Sequence, residues 1–293
     1  MPAEVVDMFS DFESCWEEMR NKDAEGRLEV WLKKYMSKYP ELLRLQVECY
    51  EGANWRSIAV ERVFSRIEEL MPAIAVAHRN SLRATREAYY LVSEFWGGAF
   101  DVVFVIYVGI GCGAGWATEY RGKYAVLLGL EMIAELGWQS LEKLRGLAVH
   151  ELSHVVHMAL RGLSPRDFEA LEKDPYFLLY SEGFATRCEH IILGEMWRIA
   201  PDPSWVKWCR DNLSLLASEY LSRASKGEPV NDFYGSWLSI KGRSQTGYFL
   251  GHEFIRNLES EMGIREIARL AVKSVREKAQ NFLCALASEG FAK

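Results

Sequence analysis

The chain has 293 residues and a formal net charge of −6, and its charged residues are interspersed without a long basic run. Nucleic-acid binders carry clustered lysine and arginine to meet the phosphates, so we expect no nucleic-acid partner. Hydrophobic residues make up 49% of the chain, which is enough for a full core in one large domain or two smaller ones. Nothing in the composition predicts an oligomeric state.

Residues 1–97 have a helical pattern. Apolar residues recur there at steps of three and four, for example Val60, Val63 and Ile67, and proline and glycine punctuate the run. No Gly/Ser-rich or Pro-rich linker follows this region. We therefore expect a helical N-terminal region that packs on a catalytic domain formed by residues 98–293.

No segment predicts a membrane span or an export signal. The longest apolar stretches, such as residues 99–112, fall short of the roughly 20 residues needed to cross a bilayer. The start at Met1 lacks a basic segment and an apolar signal core. We therefore expect a cytoplasmic protein without a membrane partner.

The cysteine pattern also favours the cytoplasm. The cysteines lack CxxC spacing, which fits reduced buried thiols better than a disulfide framework or a structural zinc site. The six are Cys15, Cys49, Cys112, Cys188, Cys209 and Cys284.

Two segments before the middle of the chain predict strands. Residues 101–108 are rich in β-branched and aromatic side chains, and residues 124–130 have a similar pattern. If the second strand forms the edge of a sheet, its backbone can pair with a peptide by strand addition. The glycine-rich residues 109–122 lack the GK[ST] of a phosphate-binding loop, so we expect a mobile loop at the rim of a cleft.

A zinc-binding motif follows these strands, since His150, Glu151 and His154 form the pattern HExxH. Histidines four residues apart differ by about 40° around a helix, so both imidazoles can reach one ion while Glu151 reaches a water beside it. Residues 140–161 predict such a helix, because a serine can cap its start and a glycine follows its end.

The apolar residues of this helix surround it nearly completely, which predicts that it is buried. A pattern with three fixed positions also occurs by chance, and a core histidine is often only hydrogen-bonded. Burying two imidazoles and a carboxylate without partners is costly, however, and this cost favours a bound metal.

A catalytic zinc needs a third protein ligand and an open position, and we predict Glu182 as that ligand. Its neighbours on a helical face, such as Leu178 and Ala185, are apolar, so a carboxylate there needs a cation. Gly183 and Ala185 lack bulk, and we expect them to let this helix approach the helix of His150.

Two residues close to Glu182 in the sequence have side chains that can also ligate a metal. Glu189 remains an alternative third ligand, and the thiolate of Cys188 could in principle compete for the metal. The pattern HExxHxxGxxH is absent, because His157 occupies the glycine position and Leu160 the last histidine position. His157 lies too far along the helix axis to share the ion, so we expect it to pack or to support a ligand.

These motifs resemble those of a known class. HELSH followed by YSEGFA resembles the glutamate-liganded zinc peptidases, or gluzincins, and EGFA is similar to the third-ligand segment of the aminopeptidase N family. Here 27 residues separate His154 from Glu182, more than in aminopeptidases, and a GAMEN-like motif is absent. The chain more closely resembles a family of zinc-dependent proteases that also has a Gly-Tyr-aromatic/Leu-Leu-Gly segment, here residues 246–252. The resemblance implies a zincin-like core that binds Zn²⁺.

Within that last segment, Tyr248 and His252 lie four residues apart and project from one face of a predicted helix. Peptide hydrolysis generates an oxyanion, which a tyrosine or histidine donor can stabilise. An aromatic residue at this spacing is also common in a core, and the sequence does not choose between the two donors.

We therefore expect an α+β fold, predominantly α, with a zincin-like catalytic core, a small mixed sheet and an N-terminal helical region. The predicted function is zinc-dependent hydrolysis of peptide bonds in peptide or protein substrates, by metal-activated water with Glu151 as general base. The first alternative is a catalytically inactive, zinc-containing module that binds peptides or regulates a partner. The second is a helical interaction protein in which HExxH is accidental.

Overall fold

A computed structural model describes residues 3–236 and 238–289. Met1, on which part of the cytoplasmic expectation depends, lies outside the described residues. The chain divides into two compact units, Met1–Val155 and Val156–Lys293.

The described chain is mostly helical and contains a four-stranded mixed sheet, which confirms an α+β fold that is mainly α. The strands are β1 (Glu4–Asp7), β2 (Val103–Tyr107), β3 (Gly115–Tyr120) and β4 (Lys123–Gly129). The helices are α1 (Phe9–Met19), α2 (Ala24–Val30), α3 (Pro40–Glu48), α4 (Trp55–Ala59), α5 (Ile67–Trp96), α6 (Leu130–Glu135), α7 (Leu141–Arg161), α8 (Pro165–Glu172), α9 (Pro175–Leu193), α10 (Ser204–Asp211), α11 (Leu213–Lys226), α12 (Thr246–Glu259), α13 (Ile264–Ile267) and α14 (Val272–Glu289).

The sheet of the first unit has the strand order β1-β2-β4-β3. β1 and β4 both run parallel to β2, whereas β3 pairs antiparallel with β4. The condition that residues 124–130 form the edge is not met, because β4 lies between β2 and β3. Part of the expected mobile loop is instead the edge strand β3. The physical reason is a tight hairpin in which Arg121 and Gly122 adopt positive φ angles of 54° and 70°.

The N-terminal region begins with a strand that the helical pattern did not predict. Glu4 pairs with Val103 in parallel register, so β1 belongs to the same sheet as β2. Its partner is about a hundred residues away, and local periodicity therefore carries no sign of the pairing. Helices make up most of the rest of this region, as expected.

Aromatic residues of the N-terminal region pack at the end of β2. Trp31 and Tyr35 are fully buried. The Trp31 Nε1 donates to the carbonyl of Val108 at 3.0 Å, and the amide of Val108 donates to the Tyr35 hydroxyl at 3.3 Å. These hydrogen bonds satisfy the backbone where the strand ends and the glycine-rich segment begins.

In the second unit, α9 and α12 approach closely at two glycines. A Cβ built on Gly183 would lie 2.8 Å from the Cα of Gly251 and would overlap its carbonyl. The small residue at position 183 therefore permits the contact with α12. His157 is fully buried with its ring 4.3 Å from that of Phe184, so it takes the packing role.

The prediction that all cysteines are reduced is wrong for one pair. Cys49 and Cys112 form a disulfide, because the glycine-rich segment after β2 folds back onto the end of α3. Cys15, Cys188 and Cys209 are buried and belong to no disulfide, as predicted, whereas Cys284 is an exposed thiol. Every helix within residues 3–236 and 238–289 is too short or too polar to traverse a bilayer.

Candidate metal centre

The HExxH motif lies in α7, and local signals set the ends of this helix. The Ser140 hydroxyl accepts a hydrogen bond from the amide of Lys143 at 3.3 Å, and Gly162 follows the helix with a φ of 65°. The motif residues are buried as predicted, with exposed fractions of 3% for His150 and 7% for both Glu151 and His154.

The structure brings the three predicted ligands together. The ring centroids of His150 and His154 are 5.0 Å apart, as expected one helical turn apart. Glu182 lies in α9 and is partly buried. One ligand atom from each of His150, His154 and Glu182 lies within 4.8 Å of the others. These atoms are close enough for one ion to contact all three.

The donor set fits a catalytic metal. Two imidazoles and one carboxylate are the ligands of many zinc enzymes, and three protein ligands leave a position for water or substrate. The same donors also suit other first-row divalent metals, so the cluster does not by itself select zinc. The alternative ligand Glu189 is 4% exposed and forms an ion pair with Arg198 at 3.3 Å. This ion pair gives its buried charge a structural partner.

Glu151, the predicted general base, lies against the first residue of the edge strand. A Cβ built on Gly115 would come within 2.9 Å of the Glu151 Cγ and 2.8 Å of the Leu147 Cδ1. A larger residue there would force the Leu147 and Glu151 side chains, or the backbone of α7 or β3, to shift. The sequence did not identify Gly115 as part of the site, because it is one of several glycines in the same segment.

Two tyrosines that the sequence did not identify, Tyr220 and Tyr234, are hydrogen-bonded to each other in the second unit. The Tyr220 hydroxyl donates to the carbonyl of Pro175 at 2.7 Å, and it lies 3.1 Å from the Tyr234 hydroxyl. Because the only hydroxyl proton of Tyr220 is donated to Pro175, Tyr234 is the donor in the bond between the two tyrosines. Burial raises the pKa of Tyr234 well above its usual value, and the nearby charges of Tyr220 and Glu182 raise it further.

These two tyrosines are far from the motifs along the chain, so no local signal could identify them. Tyr248, one of the two predicted oxyanion donors, packs against Tyr234: the two ring centroids are 5.4 Å apart and the rings are nearly perpendicular. Tyr248 is partly buried and lines a small cavity together with Thr186 and His190. Tyr248 therefore packs against Tyr234 within the second unit.

His252, the other predicted oxyanion donor, has a different environment. It is 1% exposed, its Nε2 lies 3.1 Å from the Nδ1 of His190, and its Nδ1 lies 3.1 Å from a Glu253 carboxylate oxygen. Both ring nitrogens are thus engaged within the second unit. Burial, together with the neighbouring His252, lowers the pKa of His190 to about 4.

Comparison of the chain with known protein families, curated proteins and solved structures finds no match. The resemblance to the gluzincins therefore rests on the motifs alone and stays a prediction.

Proposed function

We propose that the protein is a zinc-dependent peptidase in which His150, His154 and Glu182 hold the metal. The observation that carries this proposal is the approach of their three ligand atoms to within 4.8 Å, with Glu151 next to His150 on the same buried helix. A structural zinc is usually closed by four protein ligands and has no need of a neighbouring carboxylate. A centre with three ligands and a nearby base is better suited to hydrolysis.

When bound, zinc supplies Lewis-acid activation of a water molecule and of the substrate carbonyl. Glu151 accepts the proton from the attacking water and delivers it to the leaving amine. Glu151 is only 7% exposed and its side chain lies against Gly115, so its position is restricted before substrate arrives. A base fixed in this way loses little freedom when it reaches the transition state.

Tyr248 is the better oxyanion donor of the two predicted residues. His252 has both ring nitrogens engaged with His190 and Glu253, so donation to a substrate would require breaking a buried hydrogen bond. Tyr248 is more exposed than His252, and its ring packs against that of Tyr234. We assign the hydroxyl of Tyr248 to the oxyanion.

The substrate class follows from the sheet. β3 is the last strand in the order β1-β2-β4-β3, and it begins at Gly115 beside Glu151. An extended peptide can add to such an edge through its backbone, which places its carbonyls along the strand and reads few side chains. We propose peptides or unfolded protein segments as substrates.

Hydrolysis of a quenched mixed-peptide library, with and without a chelator, tests this function against the inactive peptide-binding module. We expect cleavage that the chelator abolishes and that added zinc restores. Glu151→Gln should keep the metal and lose cleavage, whereas Glu142→Gln, an exposed position on the same helix, serves as the matched control. Cleavage that survives in Glu151→Gln would contradict the assignment, and metal binding without any cleavage would favour the binding module.

We also propose a cytoplasmic location, on the basis of the cysteine pattern described above. Reducing conditions there would oppose a permanent Cys49–Cys112 disulfide, because cytosolic disulfides in most organisms are transient. We expect this pair to exchange between thiols and disulfide in the cell.

A further inference from the structure

The glycine-rich segment of residues 109–114, which joins β2 to β3, is attached to its surroundings at several points. The buried carboxylate of Glu131 accepts hydrogen bonds from the amides of Gly109, at 2.7 Å, and Gly111, at 3.1 Å. The other hydrogen bonds come from the end of α3 and the residues after it. Gln46 accepts from the amide of Ile110 at 3.1 Å, and Tyr50 donates to the carbonyl of Ile110.

The Cys49–Cys112 disulfide is the covalent attachment in this set. It connects the segment to the residue that follows α3, and the bridge spans 63 positions of the chain. Cys49 is exposed and Cys112 is partly exposed, in contrast to the buried Glu131 and Gln46. A small thiol in solution can therefore reach this attachment more readily than it can reach the side chains of Glu131 and Gln46.

The position of the segment matters because β3 starts where it ends. The amide of Gly129 donates to the carbonyl of Ala114 at 3.1 Å, and the next residue, Gly115, lies against Glu151 and Leu147. A shift of the segment by a fraction of an ångström would change the packing of the edge strand on the proposed general base. Small displacements near a reacting group can lower catalysis by about a hundred-fold.

We propose that Cys49 and Cys112 form a thiol–disulfide exchange site that controls the order of residues 109–115, and through them the alignment of β3 with Glu151. The disulfide form holds the segment in place. The dithiol form leaves it attached by hydrogen bonds alone, because the cross-link no longer restricts the open states of the segment. The effect on hydrolysis rests on the proposed function, whereas the effect on order does not.

The exchange chemistry uses a low-molecular-weight thiol as reductant. A thiolate attacks the sulfur of Cys49, the Cys49–Cys112 bond breaks, and the released Cys112 thiolate takes a proton from solvent. A second thiol then attacks the mixed disulfide on Cys49, releasing the Cys49 thiol and one molecule of the oxidised reductant. Two electrons and two protons are transferred in total.

Peptide-resolved hydrogen exchange of the full chain in glutathione redox buffers tests this site, with differential alkylation to record the state of each cysteine. We expect amides in residues 109–115 to exchange about ten-fold faster or more in the reduced protein. Cys49→Ser should show the fast exchange without any reductant. Cys284→Ser, which removes an exposed free thiol, should behave like the wild type.

Two results would overturn the order effect: equal exchange of these amides in oxidised and reduced protein, or free alkylation of both cysteines after full oxidation. The rate of peptide hydrolysis is the second measurement. It should fall when the wild type is reduced, and it should not depend on the redox buffer in Cys49→Ser. Faster exchange with unchanged hydrolysis would refute the link to Glu151. Absence of hydrolysis in the oxidised wild type would count against the proposed peptidase, while the exchange data would still decide the order effect.

Discussion

Gly115 and Glu151 are packed so tightly that a Cβ on residue 115 would lie 3.0 Å from the Glu151 carboxylate oxygen and 2.9 Å from its Cγ. Contacts of this length force a neighbour to move. Because Glu151 belongs to a buried helix and Gly115 to a hydrogen-bonded strand, neither side can yield without cost. The edge strand and the proposed general base are therefore linked by direct contact.

Gly115→Ala should displace Glu151 or β3 without removing a metal ligand. We expect peptide hydrolysis to fall by about ten- to a hundred-fold, while elemental analysis finds the same metal content as in the wild type. The matched control is Gly98→Ala, since a Cβ at that position meets nothing within 4 Å. Full activity in Gly115→Ala would show that the contact does not restrain the base.

Gly183→Ala should destabilise the second unit, because the new methyl group would overlap the backbone of Gly251 where α9 meets α12. Overpacking of a helix contact costs about 1–3 kcal/mol, and backbone overlap belongs at the upper end of that range. Urea or thermal unfolding measures the loss. Gly263→Ala is the control and should change stability little, because a Cβ there would lie an ordinary 3.6 Å from its nearest neighbour, a Glu266 carboxylate oxygen.

Glu131 should make the first unit more stable at mildly acidic pH. Burial raises the pKa of Glu131 to about 7 from its ordinary 4.5, although the amides of Gly109 and Gly111 oppose the shift. The folded state therefore binds more protons than the unfolded state between these values, and stability declines as pH rises from 4.5 to 7. The shift corresponds to roughly 3 kcal/mol.

Glu131→Gln removes this titration, so the difference in unfolding free energy between variant and wild type should change across that pH window and level off outside it. Urea unfolding at a series of pH values measures the difference. A difference that does not vary with pH would show that Glu131 keeps the same charge in the folded and unfolded states.

Titration of His190 should give the stability of the second unit the opposite dependence on pH. Its pKa falls to about 4 from the ordinary 6.5, mainly through burial and then through the neighbouring His252. The unfolded state binds more protons between these values, so stability is lost as pH falls from 6.5 to 4. His190→Gln should therefore lose less stability over this window than the wild type does. Parallel pH curves for the two proteins would contradict the depressed pKa.

The sequence predicted the parts of the site that depend on local pattern. HExxH on an apolar helix identified His150, Glu151 and His154, and the apolar surroundings of Glu182 identified the residue that the structure places with them. The cost of burying a charge is a property of the segment itself, which is why it could be seen without the fold.

Features that depend on distant contacts could not be predicted in this way. The pairing of β1 with β2 joins segments about a hundred residues apart, and the Cys49–Cys112 bridge spans 63 positions. The contact of Gly183 with Gly251 is of the same kind, since the two residues lie in different helices. A small residue permits a close approach but does not specify which helix makes it.

Anomalous diffraction at the zinc absorption edge, from crystals of protein supplied with one equivalent of zinc, tests the proposed metal centre most directly. We expect one dominant peak at about 2.0–2.2 Å from an imidazole nitrogen of His150, an imidazole nitrogen of His154 and a carboxylate oxygen of Glu182. Zinc bound at a different set of residues, or no ordered zinc at all, would contradict the proposed centre.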